Sequence, residues 1–325
     1  MLNELSPDPA ASVPDTATYL AALEALFGHM VARTAPVHAQ LAHQLVQTDR
    51  VLEVWRVGAG APAGVQWRMT VFWPRQKARC PVLLSPDGCW PHVVGHDAAS
   101  TALRQGVALA WFDRTELAFD NDTGQCEGPF YEQCRPSKSG SLAVWAWGIQ
   151  CCVDALEKMA HDRLSGVATI GHSRGGKAAL LATALDPRIA AVIAHNSGTG
   201  GAASLSTQAP GAESLAQLAQ QFPHWLGAAM QDAAERERIV AMDLPRLMLS
   251  QIAPRGLCLL QARDDLWANP AGTRRMADLL RPHWQGTAQD PQRSRRLQWH
   301  ERTGGHAMTL ADWQRAAQFV REVLG

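Results

Sequence analysis

The 325-residue sequence predicts a three-layer α/β sandwich with a mainly parallel central sheet. Two observations carry this. Apolar runs of strand length alternate with helix-length segments over most of the chain, the pattern of strand–helix–strand crossovers. One of those runs, at 167–170, passes through a glycine-rich turn directly into an Ala/Leu-rich helical run at 177–185.

Taken in order, residues 1–17 are polar and proline-containing. From residue 18 to 46 apolar residues recur at i, i+3 and i+4, which reads as helix. Residues 1–50 are therefore expected to form an N-terminal helical segment packed on a single α/β domain of residues 51–325. Strand-like runs follow at 66–72, 81–85 and 107–111. A long polar loop at 113–140 is expected to cross the surface near a site. A helix with an apolar face is read at 141–161 and a strand at 190–194. Two polar helical insertions are read at 212–221 and 231–240. A strand at 257–261, a helix at 270–280, a strand at 297–299 and a terminal helix at 309–324 complete the pattern. The chemistry-bearing motifs fall just after predicted strands, at the sheet edge where parallel α/β proteins bind ligands.

Composition excludes several classes. Lys plus Arg and Asp plus Glu each number 30, so nothing favours nucleic acid or an anionic membrane surface as partner. No uninterrupted apolar stretch of ~18 residues is present, so no membrane span is expected. The N-terminus lacks a basic-then-apolar run, so no signal peptide is read. A cytoplasmic location is expected for the sequence as it stands, or a secreted or periplasmic one if a longer precursor carried a signal. The seven cysteines form neither a CxxC pair nor a zinc spacing, and neither metal nor organic cofactor is expected. Cys151 and Cys152 read as buried helix thiols. Cys126 and Cys134 share one polar loop and would pair only in an oxidising compartment. Twelve tryptophans stand against two tyrosines. Most are expected in the core, although exposed indole faces also serve carbohydrate sites. The oligomeric state is left open.

The turn itself is Gly171-His172-Ser173-Arg174-Gly175-Gly176-Lys177. A G-x-S-x-G run between strand and helix is the nucleophile elbow of α/β-hydrolases. A serine hydroxyl needs a base, and the base needs an acid to orient it. In this fold the chain order is serine, acid, histidine. The sequence supplies that order: Asp264 and Asp265 follow the strand at 257–261, and His306 follows the last strand in ERTGGHAMT. Asp265 is the preferred acid and Asp264 the alternative. Arg174 directly follows the serine, where its backbone N–H and guanidinium are suited to a tetrahedral oxyanion. Lys177, one turn into the helix, reads either as a contact to a substrate hydroxyl or carboxylate or as a solvated helix residue. Two cations beside the nucleophile favour an acidic or oxygen-rich substrate over an apolar lipid ester.

The stretch GHSRGGKAALLATALDPRIAAVIAHNSGTGGAA resembles the elbow region of carbohydrate esterase family 15, the glucuronoyl esterases. WAWGIQCCVDAL, QQFPHWL, IAPRGLCLLQARDDLWANP and RTGGHAMTLADW agree with it in order, so the resemblance covers roughly residues 80–325. It implies Ser173 as nucleophile, His306 as base, Arg174 as the oxyanion arginine and Lys177 as a contact to sugar hydroxyls. Trp267 corresponds to a tryptophan lining the uronate site, and Glu213 to a sugar-contacting glutamate. Two departures stand out. Where fungal members place the triad acid, this chain has Asn196, which carries no charge; the bacterial arrangement, with a late acid, points to Asp265. The stretch MDLPRLMLSQIAPR lacks the Gln-His pair of bacterial members. The resemblance implies a serine esterase that hydrolyses esters of (4-O-methyl-)glucuronic acid through an acyl-enzyme, with a small-molecule or oligosaccharide ester as substrate. The alternative is an intracellular α/β-hydrolase acting on another polar or acetylated sugar ester.

Overall fold

The computed structural model describes residues 15–33, 36–59 and 64–325. The polar start at 1–14 lies outside them. In chain order the elements are α1 (Thr16–Phe27), β1 (His38–Val46), β2 (Arg50–Ala59), β3 (Val65–Pro74), β4 (Cys80–Ser85), α2 (Pro91–Val94), α3 (His96–Arg104), β5 (Ala108–Phe112), α4 (Pro129–Gln133), α5 (Ser141–Met159), β6 (Leu164–His172), α6 (Arg174–Leu185) and β7 (Ile189–His195). They continue as α7 (Leu215–Gln221), α8 (Ala233–Met242), α9 (Leu244–Ser250), β8 (Gly256–Ala262), α10 (Pro270–Leu280), β9 (Leu297–Arg302) and α11 (Leu310–Leu324).

The strands form one nine-stranded sheet in the order β1-β2-β3-β5-β4-β6-β7-β8-β9. The first three are antiparallel, and β4 through β9 run parallel. Parallel strands buried on both faces need apolar residues at every position, and β4 and β8 are buried throughout. The period-2 alternation then divides the core. Leu83, Leu109, Ala168, Ile170, Ile193 and Leu260 face α3 and α11, against Ala98, Ala102, Trp313 and Phe319. Val82, Leu84, Ala110, Val167, Val192 and Leu259 face the other layer, against Trp145, Ile149, Leu180 and Met276. This is the expected three-layer α/β-hydrolase sandwich.

The N-terminal expectation is corrected. Among the described residues of this segment only Thr16–Phe27 is helical, and Gly28 ends it with φ 79°. Residues 38–46 form β1, which pairs with β2 from His38↔Gly58 to Val46↔Val51. The Leu41/Leu45 spacing mimics a helix face, yet both side chains are exposed. Pro36 disfavours helix in the residue before it, and backbone pairing with β2 decides the outcome. The sheet therefore runs across residue 50. The sequence pattern also failed to mark β2, α2, α3, α4 and α9. The 113–140 loop is less superficial than expected: Arg114, Leu117, Ala118, Phe130 and Tyr131 are all buried.

Candidate active site

The elbow is built by close approach. Ser173 has φ 53° and ψ −120°, a conformation an L-residue adopts only when its surroundings impose it, at about 1–3 kcal/mol. Its N–H donates to His195 O on the neighbouring strand at 2.8 Å, which fixes the turn against β7. A Cβ at Gly171 would collide with the Gly175 carbonyl, and one at Gly175 would collide with the Asp87 carboxylate. The missing side chains therefore let the strand and helix meet and let Asp87 sit beneath the turn, where it accepts the His172 N–H at 2.7 Å.

Ser173, Arg174, Lys177, Glu213, Trp267 and His306 line one small cleft of about 110 Å³, together with Phe222 and Trp225. A larger cleft of about 440 Å³ lies against the 113–140 loop around Cys126, Tyr131 and Arg135, and contains none of the predicted residues.

His306 Nδ1 lies 2.6 Å from Asp265 Oδ2. Asp264 instead shapes the loop that carries the histidine. Its carboxylate accepts the Gly304 N–H at 2.6 Å, and its own N–H donates to Gly304 O at 3.2 Å. Asn196 makes no hydrogen bond to the imidazole ring. Its amide donates to His306 O at 3.1 Å and its carbonyl accepts the Ala262 N–H at 2.8 Å, tying β7 to the loop and to β8. On the loop's other side Arg302 donates to Ala307 O at 2.6 Å and is held by both oxygens of Asp312.

Two buried histidines stand behind His306. The His172 ring lies 4.6 Å from it centre to centre, and His172 Nδ1 lies 2.8 Å from His195 Nδ1. His195 Nε2 in turn lies 3.4 Å from Asp312 Oδ2. Burial is the main cause that lowers both of their pKa values, so at neutral pH they are uncharged.

Lys177 is buried, not solvated. Its Nζ donates to Ser197 O at 2.6 Å and to Thr199 O at 2.5 Å. Burial lowers its pKa to about 8, with Glu213 pulling the other way. Burial likewise raises the Glu213 carboxyl, opposed by Lys177. Trp267 is 44% exposed and belongs to the cleft, while Trp67, Trp145 and Trp284 are core.

The sequence pattern gave no sign of one group. Asp87 binds the fully buried Arg114 guanidinium, Arg114 Nη2 donates to Asp120 at 3.2 Å, and Asp120 accepts from Arg174 Nη1 at 2.8 Å. Arg174 also stacks on Trp225, with its guanidinium carbon 4.5 Å from the ring centre, and Trp225 stacks on Phe222 at 3.8 Å. Asp87 lies two residues past the predicted strand at 81–85, but no chemistry-bearing motif surrounds it. Asp120 carries no motif. Among the described residues, no group of three or more His, Cys, Asp or Glu side chains is arranged to hold a metal ion.

The sheet order and the elbow at the end of β6 make this chain an α/β-hydrolase. The sequence matches the fungal glucuronyl esterase family over residues 67–285, more than half of the chain. The chain thus belongs to carbohydrate esterase family 15, the glucuronoyl esterases. Carbohydrate esterase MZ0003 of an unknown prokaryotic organism is 29% identical over 230 residues, covering 66% of this chain and 52% of that protein. The 4-O-methyl-glucuronoyl methylesterase of Thermothelomyces thermophilus is 33% identical over 202 residues, covering 58% and 50%. The chain thus spans about half the length of these curated relatives. Among solved structures, a glucuronoyl esterase from Solibacter usitatus superposes with a TM-score of 0.75 at 22% identity, covering 95% of this chain and 92% of that one. The glucuronoyl esterase of Sporotrichum thermophile in complex with methyl 4-O-methyl-β-D-glucopyranuronate shares the fold with a TM-score of 0.70 at 21% identity, covering 93% and 79%.

Proposed function

We propose that this chain is a serine esterase that hydrolyses esters of (4-O-methyl-)glucuronic acid through an acyl-enzyme. The observation that carries the reading is the convergence of Ser173, Arg174, Lys177, Glu213, Trp267 and His306 on one cleft, with Asp265 on Nδ1 of His306. The substrate class is supported by family membership and by relatives named 4-O-methyl-glucuronoyl methylesterases.

In this mechanism the Asp265 hydrogen bond holds Nδ1–H and leaves Nε2 of His306 as the base. His306 takes the Ser173 proton as Oγ attacks the ester carbonyl. The Arg174 guanidinium and the backbone N–H of Arg174, at the first position of α6, stabilise the oxyanion. His306 returns the proton to the leaving alcohol. Water, deprotonated by His306, then cleaves the acyl-serine and releases the uronic acid. Lys177, Glu213 and Trp267 hold the sugar.

A second reading, another polar or acetylated sugar ester, is favoured by the segment that lacks the Gln-His pair. It forms α9 and its flanks, puts no residue on the cleft, and turns Asp243 inward to Ser204 and Leu205. The test is hydrolysis of methyl and benzyl glucuronate, with acetyl and feruloyl esters alongside, by the wild type and by Ser173→Ala. Loss of roughly 10⁴-fold or more in kcat on the uronate esters in Ser173→Ala is expected. A wild type inactive on every uronate ester but active on simple acyl esters rejects the substrate class.

A further inference from the structure

We infer that Asp120 is a positioning residue for the reaction: it acts through Arg174, fixing the guanidinium that meets the developing oxyanion. The inference deepens the role proposed for Arg174 and rests on it.

Asp120 sits in the 113–140 loop, far in sequence from the elbow, and three donors from three different segments converge on it. Its Oδ2 accepts Arg174 Nη1 at 2.8 Å and Arg114 Nη2 at 3.2 Å, and its Oδ1 accepts the Trp225 indole N–H at 3.1 Å. Its side chain is nearly buried, at 10% exposure. Burial opposes its ionisation, but neighbouring His224, Arg174 and Arg114 outweigh that and hold the carboxyl far below the usual range. The two guanidinium groups beside it favour the charged carboxylate.

For Arg174 the consequence is specific. Among the described residues, Asp120 is the sole hydrogen-bond partner of its guanidinium. Trp225 supplies the stacking face, and that indole is itself tied to Asp120. One carboxylate thus sets both the in-plane and the out-of-plane position of the guanidinium. Asp120 cannot drift, because Arg114 anchors it from below. Arg114 is fully buried, lies 4.9 Å from the Trp145 ring centre and is bound to Asp87, which also accepts the His172 N–H beneath the elbow. The oxyanion arginine and the nucleophile turn are therefore referenced to one buried frame. Electrostatic stabilisation of a transition state depends on donors already in place, so loosening this frame should slow chemistry more than binding.

The test is a double-mutant cycle with Asp120→Asn and Arg174→Ala, measured on benzyl glucuronate with melting temperatures alongside. Arg174→Ala is expected to lower kcat about 100-fold. Asp120→Asn is expected to lower kcat about 10-fold with KM within about 2-fold, and to add nothing in the Arg174→Ala background. Should Asp120→Asn fail to melt cooperatively, Asp120→Glu carries the test: it keeps the charge, displaces the guanidinium, and is expected to lower kcat with KM unchanged. If Arg174→Ala is slow but Asp120→Asn runs at the wild-type rate, or if the two losses multiply, Asp120 has no positioning role while the reading of Arg174 stands. If Arg174→Ala itself keeps full kcat, the oxyanion role falls and the inference falls with it.

Discussion

The two walls of the cleft are built on opposite electrostatic plans. The Arg174 wall is a run of alternating charges, Asp87, Arg114, Asp120 and Arg174, mostly buried and mutually paired. The His306 wall presents a half-exposed imidazole on a glycine-containing loop, backed by two buried neutral histidines. The difference matches the roles proposed for the two walls. An oxyanion needs a cation of fixed charge in a fixed place, and paired burial supplies that. A base must gain and lose a proton in every turnover. A cation packed behind it would oppose the imidazolium, whereas neutral His172 does not, and the one carboxylate at Nδ1 favours it.

Substitutions can break this contrast, and the largest effect is expected on the histidine wall. Asp265→Asn should lower kcat by roughly 10³- to 10⁴-fold with little change in fold, because an amide favours the wrong tautomer of His306. Steady-state kinetics with a melting curve checks this; a fall below about 10-fold would mean that the acid is supplied from elsewhere.

Lys177 probes the cationic side. Lys177→Met should raise KM for the uronate ester about 10- to 100-fold, the size of a lost charged hydrogen bond, and should destabilise the fold by leaving the Ser197 and Thr199 carbonyls without their donor. In the wild type the lysine loses its proton as pH rises through about 8. KM should therefore climb above that pH, and the climb should be missing in Lys177→Met. The sign for stability is the reverse. Above pH 8 and below the ordinary 10.5 the unfolded chain binds a proton that the native one does not, so this group's contribution to stability rises across that window. A pH-independent KM from 7 to 10 would remove Lys177 from substrate binding.

The smallest effect sharpens the comparison from the other direction. Asp264→Asn, one residue from the acid, should cost at most about 1 kcal/mol and change kcat within about 2-fold, since its carboxylate only caps the exposed Gly304 N–H. A 100-fold loss of kcat there would show that the loop, not the ring contact, governs the base.

How much of this is legible in the sequence depends on whether a residue's role is local. The elbow is legible because a strand, a sharp turn and a helix leave a glycine pattern within six residues. Asp265 and His306 are legible because each follows a strand in the order the fold demands, although choosing between the adjacent acids requires the geometry. The run Asp87–Arg114–Asp120–Arg174 is not legible, because its contacts join residues 27, 6 and 54 positions apart with no periodicity. Burial of Arg114 also inverts the usual expectation for a charged residue in a polar loop. β1 reads as helix because an i, i+4 apolar pair on an exposed strand has the same spacing as a helix stripe. Phe222 and Trp225 belong to the QQFPHWL stretch, but only the tertiary arrangement brings them under Arg174.

An ammonium group has three hydrogens, and in Lys177 the main chain at Ser197 and Thr199 occupies two of them. The residue is thus a counted donor. It can offer one hydrogen to one oxygen, in a direction set by the other two, and cannot swivel to meet a ligand that arrives differently. In the proposed mechanism the cleft on this side discriminates among sugars by where a single hydroxyl stands, a stereochemical filter made from valence and not from bulk.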